Sequence, residues 1–179
     1  MKNKPILIVA GQPKSVFFEI FFKSLKLKKY KCPLILIASL KVLKSEIKKF
    51  NFNKNIRLVE LDVLKKYKFD NKKINLVNID KFKNSNSYIK KCFDVSFKIL
   101  KSGYTDKLIN GPIDKSKFLN KKYLGITEYI SKKTRSDNTA MLIYNNELSV
   151  CPLTTHLPIR LVPKKISQKL IFEKTNLIN

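Results

Sequence analysis

Apolar residues in this chain fall into short continuous runs separated by longer stretches with helical spacing. Residues 5–10 form an unbroken aliphatic run, the pattern of a strand buried on both faces, and Gly11-Gln12-Pro13-Lys14 turns it toward a helix beginning near Ser15. That helix is expected to reach about Leu27, with Val16, Phe17, Ile20, Phe21 and Leu25 apolar and lysines on the far side. Residues 34–38 repeat the buried-strand pattern, and Ser39 is placed to cap a helix carrying Leu40, Leu43, Ile47 and Phe50. Further strands are expected at 57–61 and 74–79. A polar stretch over 81–87 then precedes a helix with Ile89, Cys92, Phe93, Phe97 and Leu100 on one face, ended by Gly103. Strands alternating with helices predict an α/β fold, a parallel sheet covered by helices in an α/β/α arrangement.

Beyond Gly103 the pattern is denser. Residues 107–110 read as a short strand leading into Gly111-Pro112-Ile113-Asp114-Lys115, where a glycine lets backbone approach a ligand and Lys115 stands close by. Thr127 can cap a helix running to Lys133. Residues 139–144 and 148–153 read as strands joined through Asn145-Asn146, a hairpin turn. A last helix is expected from near Pro163, with Ile166, Leu170, Ile171 and Leu177 as its apolar side. Of the 4 glycines, Gly11, Gly111 and Gly125 lie at turns suited to facing a ligand.

A length of 179 residues allows one ordinary domain, or one domain and part of another. The formal charge of +25 is the only feature that motivates a nucleic-acid-binding module. Yet of 38 basic residues only Arg57, Arg135 and Arg160 are arginine, and the lysines are spread along the whole chain among many Asn and Ile. That distribution reads as AT-rich codon usage and a solvated surface. The scarcity of guanidinium, the better group for bidentate phosphate and base contacts, weakens the nucleic-acid reading. Cys32, Cys92 and Cys151 are odd in number and far apart, which indicates neither a disulfide framework nor a zinc ribbon and fits a reducing cytoplasm. No apolar run approaches the roughly 20 residues that span a bilayer, so a soluble protein without a membrane partner is expected.

Candidate chemistry centres on the single histidine, His156. It lies in Thr154-Thr155-His156-Leu157-Pro158-Ile159-Arg160, after an expected strand and before Pro163, so a proline-stiffened loop would hold it at a strand end, where α/β proteins place functional groups. The alternative is an ordinary surface or half-buried imidazole.

Three segments in order, Ile109-Asn110-Gly111-Pro112-Ile113-Asp114-Lys115, Gly125-Ile126-Thr127-Glu128-Tyr129 and the His156 segment, together resemble the 4-hydroxythreonine-4-phosphate dehydrogenases of pyridoxal phosphate biosynthesis. The resemblance implies a fold like the isocitrate and isopropylmalate dehydrogenases. On it, residues 1–124 form a first α/β domain, incomplete without a C-terminal return, and 125–179 begin a second. It further implies NAD-dependent oxidation of 4-phosphooxy-L-threonine to a 3-oxo acid that loses carbon dioxide to give 3-amino-2-oxopropyl phosphate. A divalent metal (zinc, cobalt or magnesium) would be held by three histidines drawn from both subunits of a homodimer, with His156 matching the first of them. Thr127 matches a substrate-binding threonine of the family, and Lys115 is a candidate for the substrate phosphate or carboxylate. The family's preceding substrate-binding histidine is Ile126 here, and the first turn keeps only Gly11, Pro13 and an aliphatic residue of the family pattern. The resemblance runs through the whole chain but reaches only the N-terminal half, or slightly more, of a typical member. The sequence is therefore expected to be a fragment. A non-catalytic relative of the family is the alternative, motivated by Ile126 and the missing half.

Overall fold

The structure is a computed structural model that describes residues 4–62, 64–66, 69–120, 122–136 and 138–179. The chain divides into two compact units, Met1–Phe118 and Leu119–Asn179.

The first unit is built on a parallel sheet. Its strands are β1 (Ile6–Val9), β2 (Leu34–Ala38), β3 (Ile56–Leu58), β4 (Ile74–Asn78) and β5 (Lys107–Asn110), in the order β3-β4-β2-β1-β5. The two continuous aliphatic runs, β1 and β2, lie side by side in the interior of the sheet, because a strand covered on both faces has no polar side to offer; β4, next to β2, is buried as well but carries Asn75. Register is set along one row, with Ile8 beside both Leu36 and Ile109, and Leu36 beside Leu76. The edge strands β3 and β5 are short and carry exposed residues, which discourages further pairing.

Alternation of side chains then fixes the layers. Ile8, Ala10, Leu34, Leu36, Ala38, Ile74 and Leu76 face one side and pack with Phe17, Phe18, Phe21 and Phe22 of α1 (Phe17–Leu27) and Leu43 of α2 (Leu40–Lys49). On the other side, α3 (Ser85–Lys101) lies against β1 and β2 and buries Tyr88, Ile89, Cys92, Phe93 and Phe97. The expected α/β/α arrangement is present. The apolar face of α1 is not quite the one expected: Val16 (57% exposed) and Ile20 (58% exposed) point outward, while four phenylalanines form the buried stripe.

Polar side chains do more of the joining than the sequence pattern suggests. Ser39 is the N-cap of α2 but makes no capping bond with its side chain; the Leu40 N–H instead donates to Asn78 Oδ1 at 2.8 Å, from the neighbouring strand end. Asn75, 1% exposed in the middle of the sheet, donates from Nδ2 to the carbonyls of Leu34 (3.0 Å) and Asp70 (2.8 Å), which satisfies a group that would otherwise be costly to bury. At the N-terminus of α3, Asn84 and Ser87 form a reciprocal capping box.

At the carboxyl end of the sheet the turns after β1 and β5 are fastened together. The Gln12 N–H donates to the Pro112 carbonyl at 2.8 Å, and the Asp114 N–H donates to Gln12 Oε1 at 2.9 Å. Two glycines make this possible: a Cβ on Gly11, whose φ is +72°, would lie 2.4 Å from the Pro112 oxygen, and one on Gly111 would lie 2.5 Å from the Ala10 oxygen. The space expected at Gly111 for a ligand is taken by the neighbouring turn. Lys115 opens a five-residue helix, α4 (Lys115–Leu119), which the sequence pattern does not predict.

The second unit contains α5 (Ile126–Thr134), α6 (Val162–Lys165) and α7 (Gln168–Ile178), with a three-residue 3-10 turn at Ile159–Leu161. The expected strands at 139–144 and 148–153 are reduced to one antiparallel bridge between Ile143 and Val150. Both bridge residues are exposed, and a two-stranded hairpin that buries so little of its apolar surface gains too little to extend. The expected last helix is broken into α6 and α7, where Ile166 turns extended and Ser167 caps α7 by accepting from the Leu170 N–H. Lys174 of α7 donates to Asn138 Oδ1 and to the Thr139 carbonyl.

Candidate active site

The second unit brings two of the sequence-predicted segments to one glycine. Gly125 is buried and is the N-cap of α5, with Ile126, Thr127 and Glu128 as the first three helical residues. A Cβ on Gly125 would lie 2.7 Å from Glu128 Oε2 and 3.9 Å from His156 Nε2, so a carboxylate and the imidazole border the same small space. Any side chain at position 125 would push the carboxylate aside.

His156 is exposed and adopts φ +57°, the left-handed region that few residues other than glycine enter. Such a conformation costs of order 1–3 kcal/mol unless its surroundings hold it. Here Pro158 follows at φ −56° and leads directly into the 3-10 turn, so the chain after the imidazole is stiff. His156 therefore does not close a strand, as the sequence pattern predicts; it sits in an irregular segment between the Ile143–Val150 bridge and that turn.

Thr127 is exposed on the first turn of α5 and is not its cap, a position Gly125 holds. The N–H groups of that turn have no intrahelical partners and carry the positive end of the helix dipole, which suits a negatively charged or carbonyl oxygen nearby. Ile126, half-buried, adds only apolar surface at the place where a polar contact was expected to be lost. Lys115 belongs to the first unit and is exposed at the start of α4. Beside it, Asp114 accepts from the Ser116 hydroxyl at 2.6 Å and the Lys117 N–H at 3.2 Å. Those two bonds, the Ser116 one foremost, hold its carboxyl below the usual carboxylate range.

The residue that pattern reading passes over is Glu128. Its signal was its spacing, since a glutamate three residues after a helix N-cap stands where it can fold back over the helix start. The donor set around Gly125 does not by itself suit a metal. Among the described residues no group of three or more His, Cys, Asp or Glu side chains converges, and a catalytic zinc-type ion takes about three protein ligands.

Comparison with known proteins gives a consistent result. The model of the family described as "Pyridoxal phosphate biosynthetic protein PdxA" matches residues 30–179. A protein of Sulfurihydrogenibium sp. named 4-hydroxythreonine-4-phosphate dehydrogenase is 29% identical over 184 residues, covering 97% of this chain and 56% of the relative. One of the same name from Aquifex aeolicus is 27% identical over 194 residues, covering 98% and 57%. The crystal structure of a 4-hydroxythreonine-4-phosphate dehydrogenase from Burkholderia phymatum superposes with a TM-score of 0.80 at 20% identity, over 97% of this chain and 56% of that one. A Klebsiella pneumoniae structure of the same name gives 0.77 at 17% identity, over 98% and 57%. The chain thus spans little more than half the length of these relatives.

Proposed function

Because the chain belongs to the PdxA family of pyridoxal phosphate biosynthetic proteins, we propose that it serves vitamin B6 biosynthesis as part of an NAD-dependent dehydrogenase acting on 4-phosphooxy-L-threonine. In this reading the substrate hydroxyl is oxidised, its hydride passes to NAD, and the resulting 3-oxo acid loses carbon dioxide to leave 3-amino-2-oxopropyl phosphate. The observation that carries the reading is the approach of His156 Nε2 to Gly125, the N-cap of the helix whose first turn holds Thr127, in a chain of this family.

Each residue has a task in that scheme. Thr127 offers a hydroxyl at the open end of α5, where the unpaired N–H groups favour a substrate oxygen. His156 offers an imidazole held away from ordinary backbone geometry, and Lys115 offers a cation for a phosphate or carboxylate. A divalent ion, when bound, would polarise the hydroxyl being oxidised. The described residues do not fit such an ion alone, so in a homodimer with a shared site further donors would still be needed beyond the one imidazole that each chain offers. Three free thiols accord with a reducing cytoplasm, and among the described residues no helix is long and apolar enough to cross a membrane. A non-catalytic relative is the second reading, favoured by Ile126 in place of the family histidine and by the lack, among the described residues, of a three-donor cluster.

The test uses the only histidine as a reporter. Its imidazole resonances are followed while the chain is titrated with 4-phosphooxy-L-threonine, and separately with 4-hydroxy-L-threonine lacking the phosphate. Saturable movement of the signals with the phosphorylated compound, and none with the other at equal concentration, is the expected result. No movement with either would overturn the reading.

A further inference from the structure

One oxygen of Glu128, Oε2, is buried and has no hydrogen-bond partner among the described residues, although the side chain as a whole is only half-buried. A glutamate at this place in a helix commonly reaches back to the N-cap N–H, which would have satisfied it. Here the oxygen lies instead over Gly125, in the space that His156 Nε2 also borders. A buried carboxylate oxygen without a donor is costly, and the cheapest remedy is a ligand group that brings donors. An ammonium group is such a ligand: it carries three N–H donors and a positive charge, and its hydrogen bond to a carboxylate is charge-assisted. The absence of a side chain at position 125 leaves the space beside the oxygen unfilled by any Cβ.

We propose that Glu128 is a specificity-determining residue whose Oε2 receives the ammonium group of the phosphorylated amino acid, so that the site selects an amino acid over the matching 2-hydroxy acid. This rests on the function proposed above, and it gives a role to a motif residue to which the sequence analysis assigned none. Thr127, the preceding residue, and His156, across the glycine, then contact other parts of the same molecule.

Affinity of the 179-residue chain is measured by calorimetry for 4-phosphooxy-L-threonine and for its deaminated counterpart, in which a hydroxyl replaces the ammonium group. The wild-type chain should bind the amino acid at least about tenfold more tightly, the difference expected when one charge-assisted hydrogen bond is lost. Glu128→Gln, of nearly the same shape, should bring the ratio close to one. Equal affinity of the wild-type chain for both compounds overturns the role of Glu128 and leaves the proposed function standing. So does a preference that survives in Glu128→Gln. Binding of neither compound sinks both proposals together. Should Glu128→Gln fail to fold by circular dichroism, the wild-type ratio decides alone.

Discussion

Gln12 Oε1 accepts a hydrogen bond from the backbone N–H of Asp114 at 2.9 Å, joining turns that are 102 residues apart. With the Gln12 N–H to Pro112 carbonyl bond, this fastens the first strand's exit to the fifth's. Gln12→Ala keeps the backbone bond and loses the side-chain one, so it should lower unfolding free energy by about 1 kcal/mol. Gly11→Ala meets a harder obstacle, since φ is +72° and the new methyl would stand 2.4 Å from the Pro112 oxygen. Its cost should exceed that of Gln12→Ala, in the range of roughly 1–3 kcal/mol or beyond. Urea unfolding of the two variants ranks them, and a Gly11→Ala chain as stable as Gln12→Ala would show that the two turns are not held in contact.

The parallel sheet was legible because β1 and β2 are aliphatic throughout, and only burial on two faces tolerates that. β2 over Leu34–Ala38 and β5 over Lys107–Asn110 stand where the pattern put them. Hidden instead were the roles of polar residues that act at a distance. Nothing local to Ser39 reveals that Asn78 supplies the bond at the start of α2, and nothing local to Gly111 reveals that Ala10 fills the space before it. The hairpin at 139–153 shows the opposite failure. Its residues have the composition of strands, but Ile143 and Val150 stay 61% and 48% exposed, and propensity without burial does not sustain a ladder. For the candidate site, the motifs singled out Gly125, Thr127 and His156, while the left-handed backbone of His156 and the buried oxygen of Glu128 exist only in three dimensions.

Helix α4 should respond to acid through Asp114. Bonds from the Ser116 hydroxyl and the Lys117 N–H lower its folded pKa, so the stability it contributes is present above the ordinary carboxylate pKa and is lost as pH falls through the lowered value. The Lys117 amide resonance, followed from neutral pH downward, should titrate with a midpoint below that of a free aspartate. In Asp114→Asn the same amide should not titrate. A wild-type midpoint at or above the free value would reverse the sign argued here.

Thiol chemistry should separate the cysteines. Cys92 is fully buried under α3, and burial pushes its thiol up to about 12, so almost no thiolate forms near neutrality. Cys32 and Cys151 are partly exposed. An aromatic disulfide reagent should therefore titrate two thiols per chain in buffer and release the third only in denaturant. Three fast thiols would mean that α3 does not pack on the sheet as described.

Thr127 allows stability and binding to be told apart. Since Gly125 holds the N-cap of α5, Thr127→Val should change folding free energy by under about 0.5 kcal/mol, the usual size for an exposed site. If its hydroxyl meets the substrate, the same change should weaken binding of 4-phosphooxy-L-threonine by roughly 5- to 10-fold, the value of one ordinary hydrogen bond. A loss of stability near 1 kcal/mol with unaltered binding would assign the hydroxyl to the helix.

Turnover is the most demanding test, because the proposed chemistry needs more donors than the described residues bring together. A catalytic zinc-type ion takes about three protein ligands; this chain has one histidine, and its described residues assemble no three-donor group. Even a symmetric pair of chains would add only one further imidazole. The purified 179-residue chain, given NAD, 4-phosphooxy-L-threonine and zinc, cobalt or magnesium, should therefore form no reduced nicotinamide above background. Supplying, as a second polypeptide, the part of a relative that lies beyond the matched region should bring turnover, and His156→Ala in that mixture should remove most of it. Reduced nicotinamide formed by the chain alone would mean that its own residues complete the site. A mixture unaffected by His156→Ala would remove the imidazole from the chemistry altogether.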